Sequence, residues 1–292
     1  MRWRKRLLAL LLFLLLSCGG SEPFSGARAY RHVQAQLEAG YRIPGSEGAS
    51  RVADYIVAQL RRQGWKVREQ RFTYRGVSLR NVIGIRGEGP ILLLGTHYDT
   101  RRTADQDPDP ARRDDPVPGA NDGATGVAVL LELARVLAHT PLRMQVWLAF
   151  FDGEDQGGID GWPWSVGAAY LAQHLDTLPR AVVIVDMVGD REPQFFMEGN
   201  SHLALRNDIW QLAGELGYAD SFTPTVRHTL IDDHIPFRQR GIPAVDIIDF
   251  DYPYWHTTAD TADKVSPETL ERVGRLLEAI VREGVGLGES GE

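Results

Sequence analysis

Four short runs of apolar residues, each ending at or close to an acid or a histidine, constrain this chain more than any other feature. They cover residues 91–95, 144–151, 181–187 and 244–248. A strand with both faces covered needs such a run, because neither of its side-chain rows meets water. Around these runs the apolar spacing turns helical, over residues 126–139, 167–174, 202–216 and 267–283. Pro267 suits a first helical turn, where no backbone N–H is needed. Earlier, residues 27–39 and the stretch from Ser46 to about Gln63 read as two helices. Ser46 is placed to cap the second, and Val52, Ile56 and Leu60 share one face. Residues 67–74 and 77–86 alternate as two strands. The order of these units predicts an α/β fold, a mostly parallel twisted β-sheet with helices on both faces. No internal repeat and no dividing linker is visible, so residues 27–288 are expected to form one domain.

The amino terminus has a different character. Arg2, Arg4, Lys5 and Arg6 precede an apolar stretch from Leu7 to Leu16, closed by Ser17 and Cys18. That stretch is shorter than the roughly 20 residues a membrane-spanning helix needs. It reads as a secretion signal over residues 1–17. Leu15-Leu16-Ser17-Cys18 resembles a bacterial lipoprotein signal, in which the cysteine becomes the lipidated amino terminus; the plainer alternative is an ordinary signal with a chance cysteine. Residues 18–26 then form a tether. The expected location is exported and membrane-anchored through Cys18, facing the periplasm or the cell exterior. Cys18 is the only cysteine, so the exported domain stands on its core without disulfides. A net charge of −7 offers no reason to expect a nucleic-acid partner.

Candidate chemistry collects at the ends of the four runs. His97 and Asp99 follow the first, Asp152, Glu154 and Asp155 the second, Asp186 interrupts the third, and His256 follows the fourth. Open α/β sheets place their sites at the carboxyl ends of their strands, so residues distant in sequence are expected on one rim. Imidazole nitrogen and carboxylate oxygen are the zinc donors available, and a catalytic zinc site adds a nearby acid or base that is not a ligand.

Each residue also has a plainer role open to it. His97 and Asp99 could be a satisfied polar pair, with Asp99 orienting the imidazole. Asp122, among Gly119, Gly123 and Gly126, could cap the following helix or hold metal. Adjacent Glu154 and Asp155 diverge on extended backbone, so one can bind metal while the other, Glu154, acts as general base. Asp186 lies inside an apolar strand and needs a partner or a metal. His256 stands among Tyr254 and Trp255, an aromatic wall suited to a substrate. Asp232, Asp233 and His234 could simply open a short capped helix.

Taken together, the motifs GTHYDT, GANDGATG, FFDGED, DDHIPF and WHT resemble the zinc exopeptidase superfamily, which contains aminopeptidases and glutaminyl cyclases. The resemblance spans roughly residues 27–285. It implies Asp122, Asp155 and His256 as zinc ligands and Glu154 as general acid/base. In the aminopeptidase branch His97 and Asp186 match ligands of a second metal. The DDHIPF motif is similar to the cyclase version, which implies that Asp232 joins Asp186 in a hydrogen-bond network. Trp255 resembles the cyclase pocket wall, and ADQDPDP with PGANDGATG resembles bacterial cyclases. Asp155 stands where animal cyclases carry glutamate. Trp162, Trp164 and His234 are further candidate substrate contacts. The resemblance therefore implies one zinc and cyclisation of amino-terminal glutamine on peptides or proteins, or two zincs and removal of amino-terminal residues. It leaves the oligomeric state open.

Overall fold

A computed structural model describes residues 22–286. The expected signal peptide and Cys18 lie outside the described residues. Two helices lead, α1 (Gly26–Glu38) and α2 (Glu47–Arg62), followed by strands β1 (Lys66–Tyr74), β2 (Val77–Arg86) and β3 (Ile91–His97). Helix α3 (Ala124–Leu137) and β4 (Gln145–Phe151) come next, then α4 (Val166–Gln173) and β5 (Ala181–Asp186). The chain continues through β6 (Phe195–Glu198), α5 (Leu203–Glu215), β7 (Phe222–His228), α6 (Ile235–Gln239), β8 (Ala244–Ile248) and α7 (Pro267–Glu283).

Six strands form the main sheet in the order β1-β2-β4-β3-β5-β8. The four apolar runs pair in parallel as β4, β3, β5 and β8, with Leu94 opposite both Leu148 and Val183, and Val183 opposite Val245. The β1–β2 hairpin joins antiparallel at one edge. Along β3, Leu92 and Leu94 enter one core while Leu93 enters the other. Side chains alternate across a strand, so two apolar layers require an unbroken apolar run. The larger core lies between the sheet and α1, α2, α3, α5 and α7. The smaller lies under α4 and α6.

Helix α3 is buried along its length except at Arg135. Such a helix must be apolar all round, which Val127, Val129, Leu130, Leu131 and Leu133 supply. Gly126 lets it approach the sheet: a Cβ there would stand 2.1 Å from Thr96 Oγ1 and 2.7 Å from the Val185 carbonyl.

Three expectations change. Helix α3 starts two residues earlier than the spacing predicts, with Gly123 at its N-cap. The described end of the expected tether is not free chain. Phe24 is 1% exposed and its ring fills the space above Gly274 on α7, while the Ser25 N–H donates to Glu132 Oε1 (3.1 Å). Finally, β6 and β7 form a small parallel pair of their own. Four residues in one strand, Pro224 in the other and a shifted register leave no strand signal to read.

Candidate active site

Because β4, β3, β5 and β8 run parallel, their carboxyl ends share one rim. There His97 ends β3, Asp186 ends β5, and the loops after β4 and β8 carry Glu154, Asp155 and His256. Two groups of buried side chains meet on this rim, Asp122 with Asp155 and His256, and Asp122 with His97 and Asp186. His97 Nε2 lies 3.1 Å from Asp122 Oδ1 and 3.0 Å from Asp186 Oδ1. His256 Nε2 lies 2.9 Å from Asp155 Oδ1 and 3.8 Å from Asp122 Oδ2. Asp122 is thus common to both groups. It does not cap α3, whose N-cap Gly123 takes φ +89°. A Cβ at Gly123 would come within 2.6 Å of the Asp99 carbonyl, so the turn that aims Asp122 at the rim admits only glycine.

The loops are held from behind by groups that never reach the pocket. Asp260, fully buried, accepts from the Asn121 N–H (2.8 Å), the Asp122 N–H (3.1 Å) and the Tyr252 hydroxyl (2.7 Å). Asp99 accepts from the N–H groups of Glu154 (3.0 Å) and Asp155 (3.2 Å). It stands 3.7 Å from His97 Nδ1, so it positions the acid loop more closely than it orients the imidazole. The buried Arg42 guanidinium donates to the carbonyls of Tyr98 (2.9 Å), Pro118 (2.9 Å) and Gly119 (2.5 Å). Asp107 accepts from the Thr258 N–H and hydroxyl, tying the loop before α3 to the loop of His256. His256 itself takes φ +54° and Met187, after Asp186, takes φ +47°. Strained backbone of this kind persists where surrounding contacts over-determine it, commonly at functional sites.

The electrostatics favour a bound cation. Burial pushes the Glu154 carboxyl well up, and the nearby Asp232 pushes it further. Burial likewise raises Asp155, reinforced by Asp122, and raises Asp186. On His256 burial opposes charge, but Asp155, Asp105 and Asp122 outweigh it and lift the imidazole to about 9. Asp155 Oδ2 and Asp122 Oδ2 are buried without a hydrogen bond among the described residues, while Asp155 Oδ1 faces the His256 imidazole. Buried carboxylates left so are costly unless something pairs with them. Two carboxylates and one imidazole are a zinc donor set, so these residues fit the ion that the sequence implies.

A cavity of about 250 Å³ opens onto this rim, lined by Asp122, Glu154, Asp155, Asp186, Asp232 and His256 among others. Trp164 and Trp255 also line it, and both indoles stack against His256, with ring centroids 5.9 Å and 3.7 Å away. Two expected substrate contacts are elsewhere. Trp162 packs with Leu79 and Val166 behind the loop. His234 is fully buried, with Nε2 3.1 Å from Glu198, so no part of it can meet a substrate. Its motif does open the short helix α6. Sequence reasoning passed over Arg42, Asp260 and Asp107. Each acts mostly on backbone N–H or C=O groups, which residue type alone does not reveal.

Residues 81–281 match peptidase family M28. The glutaminyl cyclase structure of Porphyromonas gingivalis is similar, with 34% identity, a TM-score of 0.85, and coverage of 90% of this chain and 99% of that one. A Zn-dependent exopeptidase structure from Parabacteroides distasonis has 30% identity, a TM-score of 0.84, and coverage of 89% and 99%. The glutaminyl-peptide cyclotransferase of Gloydius blomhoffii is 28% identical over 298 residues, which cover 85% of this chain and 78% of that protein.

Proposed function

The chain belongs to peptidase family M28, and on that premise we propose that it is a zinc-dependent glutaminyl-peptide cyclotransferase. The observation that carries this reading is the buried Glu154, placed with Asp232 and Asp186 in the wall of one small cavity beside two indoles. Peptides or proteins beginning with glutamine are the substrates. Their α-amine nitrogen bonds to the side-chain amide carbon, the bond from that carbon to the amide nitrogen breaks, and ammonia leaves a pyroglutamyl end.

Asp122, Asp155 and His256 would hold the zinc, which supplies Lewis-acid polarisation of the amide carbonyl. Glu154 takes a proton from the attacking amine and returns one to the departing nitrogen. A carboxyl raised by burial and by Asp232 holds a proton more readily than an ordinary glutamate, which suits it to take one from the amine and return it to the leaving nitrogen. Asp186 and Asp232 keep that proton local. Trp164 and Trp255 bring the two ends of the glutamine together and keep water from competing, as an intramolecular reaction requires.

One observation favours a second reading. His97 and Asp186 meet Asp122 closely enough to form a second metal group, the arrangement of a two-zinc aminopeptidase. A peptide beginning with glutamine separates the two by mass spectrometry. Loss of one ammonia per peptide is expected. Loss of the whole glutamine residue would establish the aminopeptidase instead.

A further inference from the structure

Beside the catalytic cavity lies a second one of about 360 Å³, and Trp164 and Ile231 line both. Phe72 and Tyr74 of β1, Pro163, Val166 and Tyr170 of α4, and Ile235 of α6 form its apolar wall. Phe72 stacks flat on Tyr170, with ring centroids 4.0 Å apart and planes 4° from parallel. Among the described residues no carboxylate, ammonium or guanidinium lines this cavity, and its polar side chains are neutral. Ile231, on the ridge between the two cavities, is 65% exposed. An isoleucine that open beside an indole forms part of an apolar surface of the kind that marks binding sites.

One polar atom in the wall also lacks a partner. Ser165 is 2% exposed and lines the second cavity, and its Oγ hydrogen-bonds nothing among the described residues. Its φ of +60° is strained for serine, while its N–H reaches the Glu154 carbonyl (3.4 Å). The second cavity is therefore joined to the catalytic loop by backbone as well as by shared side chains.

We infer that this second cavity receives the second residue of the peptide and selects apolar or aromatic side chains over acidic ones. The assignment rests on the cyclotransferase reading. There the first residue turns both its amine and its side chain inward, so the chain must leave across the mouth of a cavity sized for about one residue. The shared ridge of Trp164 and Ile231 leads directly into uncharged aromatic surface.

The test compares Gln-Phe-Ala amide with Gln-Glu-Ala amide, using glutamine amide as a substrate without a second residue. For the full chain kcat/KM should be roughly tenfold higher with phenylalanine, a typical worth for one side chain in an apolar pocket. Gln173 and Gln239 are exposed lining residues, and Gln173→Lys with Gln239→Lys should bring that ratio to about one or below, because the lysines attract the glutamate. Glutamine amide cyclised with no preference at the second residue would overturn the cavity assignment alone. So would a preference that the double variant leaves unmoved. A double variant whose sedimentation mass falls while its preference stays would assign the surface to a second copy of the chain. Failure to release ammonia from glutamine amide would remove the cyclotransferase reading, and the cavity assignment would fall with it.

Discussion

Glutamine in place of Glu154 keeps nearly the same shape, and the backbone there is gripped by Asp99 whatever the side chain. Glu154→Gln should therefore retain zinc and melt like the parent while losing roughly 10²–10⁴-fold in kcat, the usual worth of one acid/base group. Ammonia release within about threefold of the parent would remove Glu154 from the chemistry. The two histidines part company in the one-zinc reading. His256→Ala should lose the metal, whereas His97→Ala should keep it and cost far less, because only His256 belongs to the assigned ligand group. Equal loss of zinc and activity in both variants would favour the two-zinc aminopeptidase. At this scale the sequence was informative where a side chain points at the rim. It was silent for Arg42, Asp260 and Asp107, whose partners are mostly main-chain groups, with two hydroxyls, brought close only by the fold.

The strands and most of the helices were legible because buried parallel strands and amphipathic helices leave periodic marks in the chain. β6 and β7 were not, since their short paired segments carry no such period. Elements also carry the pH response. His32 on α1 lies 2.6 Å through Nδ1 from the Tyr55 hydroxyl on α2. Burial, then Arg31 and Arg62, lower its pKa from the ordinary 6.5 to about 4. The folded state thus holds the proton less tightly than the unfolded one, so stability present above pH 6.5 is lost as pH falls towards 4. After allowance for solvent screening the loss is about 1–2 kcal/mol. Denaturant titrations at pH 7 and pH 4.5 should show His32→Gln losing less than the parent over that interval. Parallel losses in the two proteins would show that the α1–α2 contact is not the sensor.

At the scale of the molecule, the rim gathers Asp122, Asp155 and Asp186 out of water with few partners. A cation there should contribute to stability as well as to reaction. Removing metal with a chelator should lower the melting temperature by a few degrees, and added zinc should restore it, since a ligand at a hundred times its Kd contributes about 2.7 kcal/mol. Calorimetry giving one melting temperature for metal-free and zinc-loaded protein would argue against a buried ion at this rim. Arg42 carries a further consequence for how the protein holds together. Its guanidinium is sealed among carbonyls from residues 98, 118 and 119, so the turn between α1 and α2 and the segment before α3 are held by the same group. One buried guanidinium is thus a rivet between the amino-terminal helices and the loop that carries Asp122, and loosening either side loosens the rim.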